Sequence, residues 1–176
     1  MKVLIIGGGG REHCLAWKLI SSDLVSKVYA IPGNPGIAKI GECYSSNIEK
    51  EDFNDIAAYI EEKKIDFVVI GPEAPLVDGI VDFLEDRNVK VFGPRKEAAV
   101  IEGSKLFTKN LCKKYDIPTA DSMEFKRADY ELAIKYIEKL SDDKFPVVLK
   151  IDGLAAGKGV LIPENKKDAV QALDDI

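Results

Sequence analysis

Positive charge, histidine, cysteine pairs and long apolar runs are all scarce in this 176-residue sequence. Each shortage removes a class of function. Lys and Arg number 25 against 30 Asp and Glu, a formal net charge of −5. Non-specific binding to nucleic acid needs a basic surface, so no nucleic-acid partner is expected, although a local basic pocket stays open. The three cysteines, Cys14, Cys43 and Cys112, are odd in number and form no CxxC pair. That argues against structural zinc or a disulfide framework and for a reducing compartment. No apolar run approaches the ~18 residues of a membrane span, and the run in MKVLIIGGGG is too short for a signal peptide. A cytoplasmic location without a membrane partner is therefore expected. His13 is the only histidine. In the first turn of an expected helix, a lone histidine is more often a packing residue than a catalyst.

What is present suits a folded domain. Apolar residues make up 46% and charged residues 31% of the chain, the balance of a globular protein rather than a disordered one. A chain of this length buries roughly 70% of the surface its unfolded form exposes, enough for a core without staples.

Strand-like and helix-like segments alternate. KVLII (2–6), KVYAI (27–31), DFVVIG (66–71) and VKVFG (89–93) are continuous apolar runs stopped by glycine or proline. Helical spacing falls between them, over about 11–22, 52–63 and 76–87, with Trp17 and Cys14 expected inside. Such alternation implies a parallel sheet covered on both faces, an α/β fold of Rossmann-like type. Residues 95–116 read as two helices broken at Gly103, with Ser104 as N-cap of the second and Pro118 beyond its end. The expected domains are 1–103, a helical linker over 104–118, and a smaller α+β unit over 119–176. In the smaller unit, DSMEF (121–125), FPVVLKI (145–151) and VLI (160–162) read as strands, with helices at about 128–140 and from about 165. The charges at 126–144 and 164–168 read as solvated helix faces.

Three loops carry the chemistry. GGGGREH (7–13) joins a strand to a helix. A dinucleotide fingerprint, G-x-G-x-x-G, needs its third glycine at the position of Glu12 or His13, and an acid ending the second strand; both requirements fail. The physics of the loop survives that failure. Glycines admit an anion close to the backbone, a helix start offers free N–H groups, and Arg11 adds a bidentate cation. A plain strand-to-helix turn is the alternative. PGNPG (32–36) and GPEAPL (71–76) leave strands at the same sheet edge, where open α/β sheets bind ligands. Asn34 offers a donor and an acceptor, and Glu73 a carboxylate for a hydroxyl or amine. KIDGLAAGKGV (150–160) resembles a P-loop, but its glycine spacing is short by one residue and Gly159 stands where Ser or Thr would be. It reads as a hairpin flap for a triphosphate, with Lys150 and Lys158 supplying charge; an ordinary hairpin is the alternative.

KVLIIGGGGREHCLAWKL, PGNPGIA, VVIGPEAPLVDGIVDFL, the FGP and AAVIEGSKLFTK pair, IPTA and PVVLKIDGLAAGKGV occur in this order. Together they closely resemble the glycinamide ribonucleotide synthetase (phosphoribosylamine–glycine ligase) family of ATP-grasp ligases, over nearly the whole chain. The resemblance implies a pre-ATP-grasp domain followed by an incomplete ATP-grasp lid. It implies a ligase of purine biosynthesis that joins glycine to 5-phosphoribosylamine with ATP and Mg2+, through glycyl phosphate. Gly8, Gly9, Gly10, Arg11, Glu12, Asn34, Pro35, Gly36, Gly71, Pro72 and Glu73 then fall on the phosphoribosylamine side. Lys105, Lys150, Gly153, Leu154, Ala155, Ala156, Gly157, Lys158 and Gly159 fall on the ATP side, in a flap that covers the phosphates. Family members are much longer. The chain is therefore expected to be an N-terminal fragment, inactive by itself, with the catalytic residues and metal ligands elsewhere and a monomeric full-length enzyme. The competing reading is a free-standing phosphosugar- or nucleotide-binding module without ligase activity. The ending KKDAVQALDDI, which closes no sheet, favours the first.

Overall fold

The computed structural model describes residues 1–44, 53–155 and 159–175. They divide into two compact units, Met1–Gly103 and Ser104–Ile176.

The first unit is built on a five-stranded parallel sheet. Its strands are β1 (Lys2–Gly7), β2 (Lys27–Pro32), β3 (Glu42–Cys43), β4 (Phe67–Ile70) and β5 (Val91–Phe92), in the order β3-β2-β1-β4-β5. The helices are α1 (Gly10–Ile20), α2 (Phe53–Lys63), α3 (Glu73–Asp78), α4 (Ile80–Glu85) and α5 (Lys96–Gly103). Val3, Leu4, Ile5 and Ile6 are all fully buried because β1 is central and covered on both faces. Alternation sorts them. Leu4 and Ile6 join Ile31, Val68 and Ile70 against Ile56 and Ile60 of α2 and Ile80, Val81 and Leu84 of α4. Val3 and Ile5 join Val28, Ala30 and Val69 against Ala16 of α1 and Ile37. From β1 the chain builds outward through β2 and β3, then returns to β4 on the other side. The order therefore reverses at β1, and the ends of β1 and β4 flank the crevice where such sheets bind ligands.

Several expectations need correction. The helix over 76–87 is two short helices, because Gly79 takes φ +99° and donates to Pro75 and Leu76; only glycine enters that region readily. Trp17 is 62% exposed, not core, and Cys14 is exposed. Helix α1 turns Ala16, Leu15, Leu19 and Ile20 to the sheet, and a 3.6-residue period places positions 14 and 17 outside that stripe. Strand β3 was hidden in a polar stretch, and β5 is shorter than its apolar run.

The second unit holds α6 (Lys105–Lys114), α7 (Tyr130–Lys139), α8 (Lys166–Asp174) and an antiparallel pair, β6 (Leu149–Lys150) and β7 (Val160–Leu161). The segment expected as a linker carries α6, which clusters with this unit. No strand forms over 121–125: every side chain there is exposed and no neighbouring strand supplies hydrogen bonds among the described residues. Phe125 instead lies 5.5 Å from the Tyr136 ring of α7. The strand expected over 145–151 shrinks to two residues. Helices α7 and α8 pack together, and Ala133 and Ile137 of α7 and Ala169 and Ala172 of α8 are buried. Among the described residues no helix is long and apolar enough to cross a membrane.

The contrast in core predicts a contrast in opening. Amides of β1, β2 and β4 should exchange with solvent about tenfold or more slowly than those of α7, α8 and β6 in native-state hydrogen exchange. Equal protection across both units would contradict it.

Candidate functional site

In the first unit, the loops after β1, β2 and β4 meet at the carboxyl edge of the sheet. Two side chains tie them. Asn34 donates to the carbonyls of Gly8 at 2.9 Å and Gly9 at 3.3 Å, while its own oxygen accepts from Gly36 and Ile37 at 2.8 and 2.9 Å. Asn34 thus folds its loop and fastens it to the glycine run, so its amide serves the backbone first. Arg11 reaches the third loop, with a terminal nitrogen 3.7 Å from Glu73. Pro72 is the N-cap position of α3, in extended backbone, and Pro35 lies in the turn that leads into the 3-10 turn Ile37–Lys39.

Glu12 is the central residue. It is the single charged residue found buried among those described, 4% exposed. One oxygen accepts from the Gly9 amide at 2.6 Å and the other from Arg11 Nε at 2.9 Å. The first bond satisfies an N–H that the start of α1 leaves free, and the charge suits the positive end of the helix. The second pushes the Arg11 guanidinium up, so it stays charged. Glycine at three positions is explained by this one side chain. A Cβ on Gly7 would come 2.7 Å from Glu12 Cγ, one on Gly9 would come 2.8 Å from its carboxylate, and one on Gly71 would collide with it outright. Gly8 faces the Gly33 carbonyl as tightly, and Gly36 faces the half-buried His13 ring. His13 is a packing partner here. Gly10 has open space beside it.

In the second unit, α6 begins at Ser104, whose hydroxyl accepts from Phe107 N–H at 3.0 Å. Asp152, 48 residues on, docks against the same helix start. Its carboxylate accepts from the Ser104 hydroxyl at 3.0 Å and Leu106 N–H at 3.1 Å, and Lys105 donates to the Gly153 carbonyl at 2.5 Å. Lys105 and Gly153 are thereby brought together. Lys150 is exposed on β6 opposite Val160, and Leu154 and Ala155 continue the loop. Gly153 and Gly159 take φ +96° and +84°. Ala156, Gly157 and Lys158 lie outside the described residues. Sequence reading missed Asp152: a carboxylate before a glycine reads as a turn, and no local spacing reports a partner 48 residues away. Among the described residues no group of three carboxylate, imidazole or thiolate side chains could hold a metal ion.

Comparison with known proteins agrees with this architecture. Residues 1–102 match the phosphoribosylglycinamide synthetase N domain, and residues 103–176 match the ATP-grasp (A) domain of the same synthetase. A phosphoribosylamine–glycine ligase of Agrobacterium fabrum is 51% identical over 99% of this chain and 40% of its own length. The crystal structure of the Thermotoga maritima phosphoribosylamine–glycine ligase is 34% identical, with TM-score 0.68 over 97% of this chain and 38% of that one. The biotin carboxylase domain of the Hydrogenobacter thermophilus 2-oxoglutarate carboxylase, 18% identical with TM-score 0.72 over 99% of this chain and 40% of that one, shares the fold. The chain spans about 40% of the length of the curated relatives it matches.

Two predictions follow from these contacts. Gly71→Ala forces a methyl into Glu12 and should cost about 1–3 kcal/mol in chemical denaturation, the usual penalty of overpacking. A loss near zero would mean that Glu12 moves freely. In the second unit, burial pushes the Asp152 carboxyl up, but bonds from Leu106, Ser104, Gly153 and Lys105 together hold it below the usual 3.8. A depressed folded value means stability that is complete above the ordinary carboxylate range and lost as pH falls through the folded value. Thermal melts of Asp152→Asn should fall below the parent at pH 7 and converge with it below about pH 3. A gap that persists in acid would assign the loss to packing instead.

Proposed function

The chain belongs to the phosphoribosylglycinamide synthetase family, and from that premise we propose that it forms the sugar-phosphate and nucleotide-recognition part of a phosphoribosylamine–glycine ligase. The convergence of three strand-end loops at the point where the sheet order reverses carries the reading. Glycine backbone, the start of α1 and Arg11 together suit one phosphate on a small polar sugar. Glu73, joined to Arg11, is the group for a hydroxyl or the amine of 5-phosphoribosylamine. In the second unit, Lys105 and the loop from Gly153 to Gly159 are assigned to the ATP phosphates.

In the whole protein the reaction is an ATP-driven condensation. The glycine carboxylate attacks the γ-phosphorus and ADP leaves. The ribosylamine nitrogen then attacks the acyl phosphate carbonyl, forming the amide and releasing phosphate and a proton. A carboxylate is a poor electrophile until it gains this leaving group, so side chains here hold and orient rather than react. Mg2+ would neutralise charge on the phosphates, and no step is assigned to it through these residues. The reading includes the cytoplasm, which suits the free thiols of Cys14, Cys43 and Cys112, and a monomeric enzyme.

Steady-state kinetics on the full-length gene product tests the division of labour. ADP release should require ATP, Mg2+, glycine and phosphoribosylamine together. Arg11→Ala should raise the KM for phosphoribosylamine about tenfold, as loss of a charge-assisted bond does, and leave that for ATP unchanged. Lys105→Ala should do the reverse. A KM for ATP that follows Arg11 would overturn the assignment, and ADP release without the sugar would favour another acceptor.

A further inference from the structure

We infer that Glu12 determines the specificity of the strand-end site, converting a loop of dinucleotide-binding shape into one that takes a single phosphate monoester. The inference rests on the phosphoribosyl reading given above. In a dinucleotide loop the third glycine lets helix and strand approach closely, and a pyrophosphate lies across the helix start. Counted from Gly7, that position is Glu12. Its side chain fills the space between Gly7 and Gly71. Its carboxylate takes the Gly9 amide at 2.6 Å, one of the donors a pyrophosphate would use. It also sets a fixed negative charge, 4% exposed, where a bridging diphosphate would bring more.

Arg11 supplies the compensation. The bond from Nε to Glu12 at 2.9 Å fixes the guanidinium and leaves its terminal nitrogens for one phosphate. The competing contact with Glu73, at 3.7 Å, is long enough to yield. Glu12 touches no substrate in this scheme. It is a positioning residue that acts through the Gly9 amide and Arg11.

Calorimetric titration of the full-length gene product with ribose 5-phosphate and with ADP-ribose tests it. The parent should bind ribose 5-phosphate and prefer it over ADP-ribose. Glu12→Gln should weaken ribose 5-phosphate about tenfold and narrow the preference, as expected when a charged hydrogen-bond partner is lost. Arg11→Ala, alone and combined with Glu12→Gln, should fall to one common level, because one residue acts through the other. Glu12→Asp keeps the charge on a shorter stem and should lose affinity while keeping the preference, a readout that survives if the glutamine variant fails to fold. Unchanged affinity and preference in a folded Glu12→Gln would overturn the inference and leave the phosphoribosyl reading standing. Additive losses in the double variant would overturn the route through Arg11. A parent that binds no ribose 5-phosphate would overturn both.

Discussion

The first unit depends on one buried carboxylate being tolerable. A charge removed from water is costly unless its oxygens find strong partners. Glu12 finds an amide at the positive end of α1 and a guanidinium one residue away. Once it is seated, its surroundings are constrained. Gly7 and Gly71 must lack side chains, β1 and β4 must end at the same height, and Arg11, though its side chain is 61% exposed, is held by its bond to Glu12. The site is thus a consequence of packing around an ion as much as of the sheet edge.

The sheet was legible because buried parallel strands write themselves as continuous apolar runs, and KVLII, KVYAI and DFVVI leave little else to be. The loops were legible because glycine and proline punctuate them. What failed has two causes. Trp17 has the composition of a core residue, but the spacing of Leu15, Ala16, Leu19 and Ile20 already sets it outside their stripe; elsewhere the deciding partner was distant. DSMEF alternates as a strand does, but a strand exists only beside a neighbour. Asp152 earns its place through Ser104 and Leu106, which no window around position 152 contains. The sequence alone shows that Glu12 stands where the fingerprint needs a glycine. Its positive meaning, a side chain that fills the space a glycine would open, needed coordinates.

The two units solve stability differently. The first surrounds β1 with large aliphatic residues on both faces. The second joins α7 to α8 largely through alanines, with polar ties such as Asp152 to α6 and the Tyr130 hydroxyl to Asp174. A unit held by small side chains and surface hydrogen bonds is one whose loops adjust cheaply, which suits a hairpin assigned to a nucleotide. The first unit, with large aliphatic side chains on both faces of β1, is the one to which the proposed reading assigns the sugar phosphate.

Trp17 has a practical consequence. It is the sole tryptophan, 62% exposed in the native state, on the outer side of the helix whose first turn holds Glu12. Indole emission from this protein is therefore already that of a hydrated ring before denaturation begins. Its spectral shift on unfolding is small, and an optical melt followed at that wavelength understates the transition. The same position makes it an internal reporter of α1, free of interference from any second indole.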